Sequence, residues 1–92
     1  MSKSRLATTI ADTAPADPTL TGYDEQHLAI YLRLLDADAA KADWREVAKI
    51  VLRIDPDREP ERARSALDSH LARAKWMIEF GYGHLLRGKF EN

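Results

Sequence analysis

Apolar residues along the chain recur at three- and four-residue intervals, and nowhere do they alternate with period two over a useful length. That rhythm predicts an all-α domain of about four helices. The first helix is expected to begin at Thr21 or Asp24, with Leu28, Tyr31, Leu34 and Leu35 on its inner side and Ile30 beside them. Asp36-Ala37-Asp38 ends it without a glycine stop, and Ala39, Ala40 and Ala42 allow it to run on. The second helix is expected over residues 43–53, with Trp44, Val47, Ala48, Val51 and Leu52 on one side and Arg45, Lys49 and Arg53 on another. The third is expected over 60–80, burying Ala63, Ala66, Leu67, His70, Leu71, Ala74, Met77 and Ile78 as one stripe. A short fourth helix from about Tyr82 to Arg87, ended by Gly88, would return Leu85 and Leu86 to the core.

Punctuation between these segments gives the architecture. Asp43 has the side chain to cap the second helix, and Glu46 stands three residues on, where it completes a capping box. The turn Ile54-Asp55-Pro56-Asp57-Arg58-Glu59 carries a proline that cannot continue a helix. Pro60 suits the first helical turn, where no N–H is needed, and Gly81 suits a left-handed stop. Two helices so joined, the second arginine-bearing, predict a helix-turn-helix variant with an extended turn. Residues 1–18 are rich in Ser, Thr, Ala and Pro and read as a flexible arm whose removal leaves the fold intact. Residues 19–88 then form the domain and 89–92 a tail.

Charge complicates the picture. The chain is 32% charged residues, yet its formal net charge is −1. Residues 21–42 hold four acids against two bases, and the turn 54–59 holds three acids against Arg58. The helices 43–53 and 60–80 each carry one excess base. A duplex-binding surface gains affinity by releasing counterions, so this balance predicts DNA binding that is weak or absent. There is no cysteine, hence no disulfide, thiolate metal site or cysteine nucleophile. No apolar run approaches the length of a membrane span and residues 1–20 lack a signal-peptide core, so a cytoplasmic protein without membrane attachment is expected.

Little suggests catalysis. His27, His70 and His84 have no partner at metal-ligand spacing, and His70 sits on the apolar stripe of the third helix. Asp36/Asp38 and Asp55/Asp57 lack the glycine and bidentate glutamate of a calcium loop. There is no phosphate-binding glycine loop and no nucleophile elbow. Neither an enzyme nor a cofactor or metal is expected. Arg58, Arg62, Arg64 and Arg73 are the candidate DNA contacts, but Glu61–Arg64, Arg64–Asp68 and Lys75–Glu79 fall at helical pairing distance, which reads as a solvated, internally paired face.

Many positions together resemble the proteobacterial domain-of-unknown-function family 2285. They are Tyr23-Asp24, His27-Leu28, Tyr31 to Asp36, Asp43 to Ala48, Asp55-Pro56, Arg62-Ala63, His70 to Met77, Gly81-Tyr82 and Leu85-Leu86, covering about residues 18–88. That resemblance implies an extended-turn helix-turn-helix variant in one of two settings. Fused to a second domain it acts in activators of conjugative-element transfer (the FseA type) and binds DNA. Alone, and more acidic, it acts as an antiactivator (the QseM type) that docks on the activator's N-terminal partner domain and is linked to a TraR-type quorum-sensing regulator. The near-neutral charge and single domain favour the second, a stand-alone antiactivator that is a monomer when free. A DNA-binding regulator is the alternative. On the antiactivator reading the partner surface is the aromatic face of Tyr23, His27 and Tyr31, rimmed by Asp24, Glu25, Arg33 and Asp36 and extended by Trp76 and Tyr82.

Overall fold

The computed structural model describes residues 10–82, and the described part is built of helices alone. Helix α1 spans Gly22–Gln26, α2 Leu28–Ala39, α3 Trp44–Val47 and α4 Pro60–Trp76. Both α3 and α4 continue as wider π-type turns, over Ala48–Leu52 and Met77–Tyr82 respectively. The expected fourth helix lies outside the described residues. Gly81 does not stop α4, because the π-type extension runs through it.

The first predicted helix is two. His27, at φ −114° and ψ 22°, breaks it between α1 and α2. α1 opens with a complete capping box: Thr21 Oγ1 accepts from the Asp24 amide, and Asp24 Oδ2 accepts from the Thr21 amide at 2.9 Å. The box expected at α3 is absent, since Asp43 precedes the helix but makes no side-chain cap.

α2 and α4 pack along one another, and α3 with its π extension closes over both. The main core gathers Leu34 from α2, Val47 from α3, Ala48 and Leu52 from its extension, Ile54 from the turn, and Ala63, Ala66 and Leu67 from α4. The alanines matter because small side chains on α4 let neighbouring helices approach closely. A second cluster joins Tyr31, Ala74 and Met77, with Leu20, Leu35 and Trp76 against it. Ile78, expected in the buried stripe, is exposed at the start of the π-type extension.

Residues 10–18, expected as part of a flexible arm, lie against the helices. Ile10 is 7% exposed and joins the main core, and Ala14 is buried with its amide donating to Ser69 Oγ at 3.0 Å. Alanine- and proline-rich composition hid this, because the anchors are one isoleucine and a set of backbone hydrogen bonds with no periodic signature.

The α3–α4 turn closes through a left-handed residue. Arg53 sits at φ 62°, and the Ile54 amide then reaches the Ala48 carbonyl at 3.1 Å. Pro56 is buried within the turn, Asp55 Oδ1 accepts from the Asp57 amide, and Pro60 opens α4 as expected. Among the described residues no helix is long and apolar enough to cross a membrane.

Candidate nucleic-acid interface

α3, the turn and α4 place one series of cationic side chains in solvent. Arg45 and Lys49 are four apart along α3 and its extension, Arg53 is the left-handed residue that follows the extension, and all three are exposed. Arg58 is exposed in the turn, and Arg62 and Arg64 are exposed in the first turns of α4.

Carboxylates engage some of these and spare others. Arg45 Nη1 lies 3.5 Å from Asp57. Arg62 is held twice, by Asp12 at Nε (2.7 Å) and by Glu59 at Nη1 (3.0 Å), and these partners push its pKa up further. Arg64 Nε donates to Asp68 at 3.3 Å, while its guanidinium lies 5.1 Å from the centre of the Trp44 ring. Lys75 pairs with Asp38 on α2 at 3.3 Å, where the sequence suggests Glu79. Lys49, Arg53 and Arg58 make no ion pair among the described residues.

Arg73 departs from the expected set of DNA contacts. It is 5% exposed, and its guanidinium donates from Nε to Asp24 Oδ1 at 3.0 Å and from Nη2 to Asp24 Oδ2 at 2.7 Å. Its remaining donors meet the carbonyls of Asp17 and Thr19 at 2.7 and 2.9 Å. Burial would raise the Asp24 pKa, but hydrogen bonds from Arg73, Tyr31 and the Thr21 amide outweigh it and hold the carboxyl at about 2. Arg73 is thus the brace of the interior.

The aromatic face expected to receive a partner is likewise interior. Tyr31 is 0% exposed, and its hydroxyl donates to Asp24 Oδ1 at 2.7 Å. His27 is buried, with Nδ1–H donating to the Tyr23 carbonyl at 2.7 Å and its ring stacked on that of Tyr23 at 4.0 Å. Tyr23 is half-buried, accepts from the Ala11 amide at 3.0 Å and donates to His70 Nε2 at 2.5 Å. His70 is fully buried, with Nδ1–H on the Ala66 carbonyl at 2.7 Å, and desolvation pushes its pKa down. Trp76 is half-buried beneath the Arg73 guanidinium, 4.0 Å away. Tyr82 ends the described residues, and its side chain lies outside them. Asp24, expected on the rim, is the most deeply placed acid of the chain's described part.

Four described helices without strands, the last two joined by a seven-residue turn from Arg53 to Glu59, define an all-helical domain of the helix-turn-helix type. Residues 2–87 match the family model described as "T6SS, Transcription factor, DNA binding domain" (the RovC DNA-binding domain), and the chain belongs to that family. No curated protein matches it.

That match overturns two expectations. The family it supports is a transcription-factor DNA-binding domain in place of the family 2285 antiactivators, and the expectation of weak or absent DNA binding by a partner-docking protein falls with it. It is also not a family of enzymes. The physical fault lay in reading net charge as surface charge. Asp24 and Arg73 cancel in the interior, while Lys49, Arg53 and Arg58 stand exposed near one turn with no ion pair among the described residues. What a duplex meets is the local field of the exposed face, which a total charge does not describe.

Proposed function

We propose that this domain binds duplex DNA by laying α4 in the major groove while α3 crosses the phosphate backbone. In this arrangement the N-terminal residues of the second helix meet base edges, and the first helix fixes position on the strand. The assignment rests chiefly on one observation: Lys49 in the extension of α3 and Arg53 and Arg58 in the α3–α4 turn are exposed cations without ion-pair partners among the described residues, in a chain that belongs to a DNA-binding family. Those three side chains contact phosphates. Arg62 and Arg64, with Ser65 and Asp68 on the exposed side of α4, lie toward the bases. The domain serves a transcription regulator, and the family description makes type VI secretion genes the first place to seek its sites.

Fluorescence anisotropy on a labelled random duplex, repeated across salt concentrations, tests this. Binding should weaken as salt rises, with a slope of about −0.9 in log K against log salt for each phosphate contact. Lys49→Glu and Arg58→Glu should each weaken binding and flatten that slope while leaving the thermal midpoint unchanged. Affinity indifferent to both reversals and to salt would remove the reading.

A further inference from the structure

Within the proposed DNA-binding face, Arg62 and Arg64 differ in a way that separates their roles. Arg62 spends Nε on Asp12 and Nη1 on Glu59. Arg64 spends only Nε, on Asp68, so its two Nη groups donate to nothing among the described residues. Its guanidinium nevertheless has two neighbours. Trp44, from the first turn of α3, places its ring 5.1 Å from the Arg64 Cζ, and Asp68 one helical turn along α4 holds the near edge. Around them runs a shallow groove of about 470 Å³ bounded by Trp44, Pro60, Glu61, Arg64, Ser65 and Asp68. Trp44 is itself half-buried against the main core, so the ring is anchored.

A phosphate contact needs charge and reach, and a mobile lysine supplies both. A base contact needs a planar fork held in one orientation, because the acceptors of a base edge are fixed in place. Arginine on an aromatic platform, oriented by a carboxylate and with two outward-capable donor groups unspent, meets the second requirement. The acceptor that matches such a fork is the O6/N7 edge of guanine in the major groove.

We infer that Arg64 reads a guanine in the bound duplex and that Trp44 is the positioning residue that sets its guanidinium. The inference rests on the DNA-binding role proposed above. It also makes Trp44 a determinant of sequence preference through Arg64, although the indole itself contacts no base.

The test is selection of preferred duplexes from a randomised library by the wild-type chain, followed by competition binding of variants against the selected sequence and its single-base changes. The wild type should select a motif containing a guanine whose replacement weakens binding by roughly tenfold or more. Arg64→Lys keeps the charge and loses the fork, so it should lose preference at that base pair while keeping random-duplex affinity and salt slope. Trp44→Leu, if folded, should lose preference at the same base pair, and Trp44→Phe should keep most of it. Arg64→Lys is on the surface and folds regardless of what Trp44→Leu does, so its result decides the reader. The inference is overturned if Arg64→Lys leaves the preference intact, or if Arg64→Ala weakens all sequences equally and flattens the slope by about 0.9, as loss of one phosphate contact would. It is also overturned if folded Trp44→Leu retains the motif or if the wild type selects none. In that last case, random-duplex binding that still responds to Lys49→Glu leaves the DNA-binding role standing, whereas absence of any duplex binding removes both.

Discussion

Arg73 and Asp24 form a bidentate ion pair in the interior, Nε to Oδ1 at 3.0 Å and Nη2 to Oδ2 at 2.7 Å, joining α4 to the capping box of α1 across forty-nine positions of sequence. Every buried side-chain polar atom among the described residues has a partner, and this pair explains much of that completeness. The carboxylate also takes the Tyr31 hydroxyl and the Thr21 amide, and the guanidinium also takes two carbonyls of the N-terminal segment. Removing one partner leaves the other buried and charged. Arg73→Met is therefore expected to cost about 3–5 kcal/mol. That is a large share of what a domain of this size holds in total. Chemical denaturation should show an unfolded or barely folded variant, while a cooperative transition near the wild-type midpoint would show that Asp24 finds other partners.

Stability should fall with acid in two stages. His70 has a folded pKa below its ordinary 6.5 because its buried site disfavours the charged ring. A depressed histidine contributes stability above the unfolded value, and that contribution begins to be lost as pH falls below about 6.5. Asp24 contributes above its unfolded value of 3.8 and loses its contribution as pH falls toward its folded value of about 2. Thermal midpoints across pH should thus decline first below about 6.5 and again below about 4. His70→Gln should flatten the upper stage and leave the lower one, and an unchanged upper stage would point to another group.

The N-terminal segment is expected to be part of the domain's stability and a brake on its binding. Deleting residues 1–20 removes Ile10 from the core and both carbonyls that Arg73 uses, so the thermal midpoint should drop sharply. Asp12→Ala leaves those contacts in place but frees Arg62 Nε from its 2.7 Å carboxylate partner. Duplex affinity should rise several-fold, and the gain should shrink when Arg62 is also changed to Gln. An equal gain in both backgrounds would mean that only overall charge had changed.

Much of the fold was legible in the sequence, and the reasons are local. The buried positions from Ala63 to Met77, along α4 and into its extension, repeat at helical spacing, and Pro56 and Pro60 mark the turn whatever surrounds them. What was not legible depends on pairs distant in sequence. Arg73 looks like one more surface cation on a charged helix until Asp24 is brought to it. Tyr23, His27 and Tyr31 look like surplus aromatic surface until their polar atoms find partners: Asp24 takes the Tyr31 hydroxyl, the Tyr23 carbonyl takes the His27 Nδ1–H, and His70 and the Ala11 amide meet the Tyr23 hydroxyl, which lets Tyr31 and His27 be buried and Tyr23 half-buried. The Thr21-to-Asp24 spacing was a readable capping signal, and following it would have tied Asp24 to the helix start. The candidate interface was half-visible: Arg62 and Arg64 lie where the spacing puts them, but which of their donors remain unspent requires Asp12, Glu59, Asp68 and Trp44 in place.

Arg53 supplies the last prediction. It holds a left-handed backbone, φ 62° and ψ 35°, where a side chain is disfavoured and glycine is not. That conformation lets the Ile54 amide close on the Ala48 carbonyl and turns the chain toward α4, so the geometry is needed even though the arginine is not suited to it. Arg53→Gly should relieve the strain and raise stability, by up to about 1 kcal/mol after the greater freedom of glycine in the unfolded chain is counted. If Arg53 contacts a phosphate, the same change should weaken duplex binding and flatten the salt slope by about 0.9. A stabilised protein that binds DNA less well would show that this position trades stability for function. A stabilised protein with unaltered affinity and slope would remove Arg53 from the interface and leave its arginine without a physical reason.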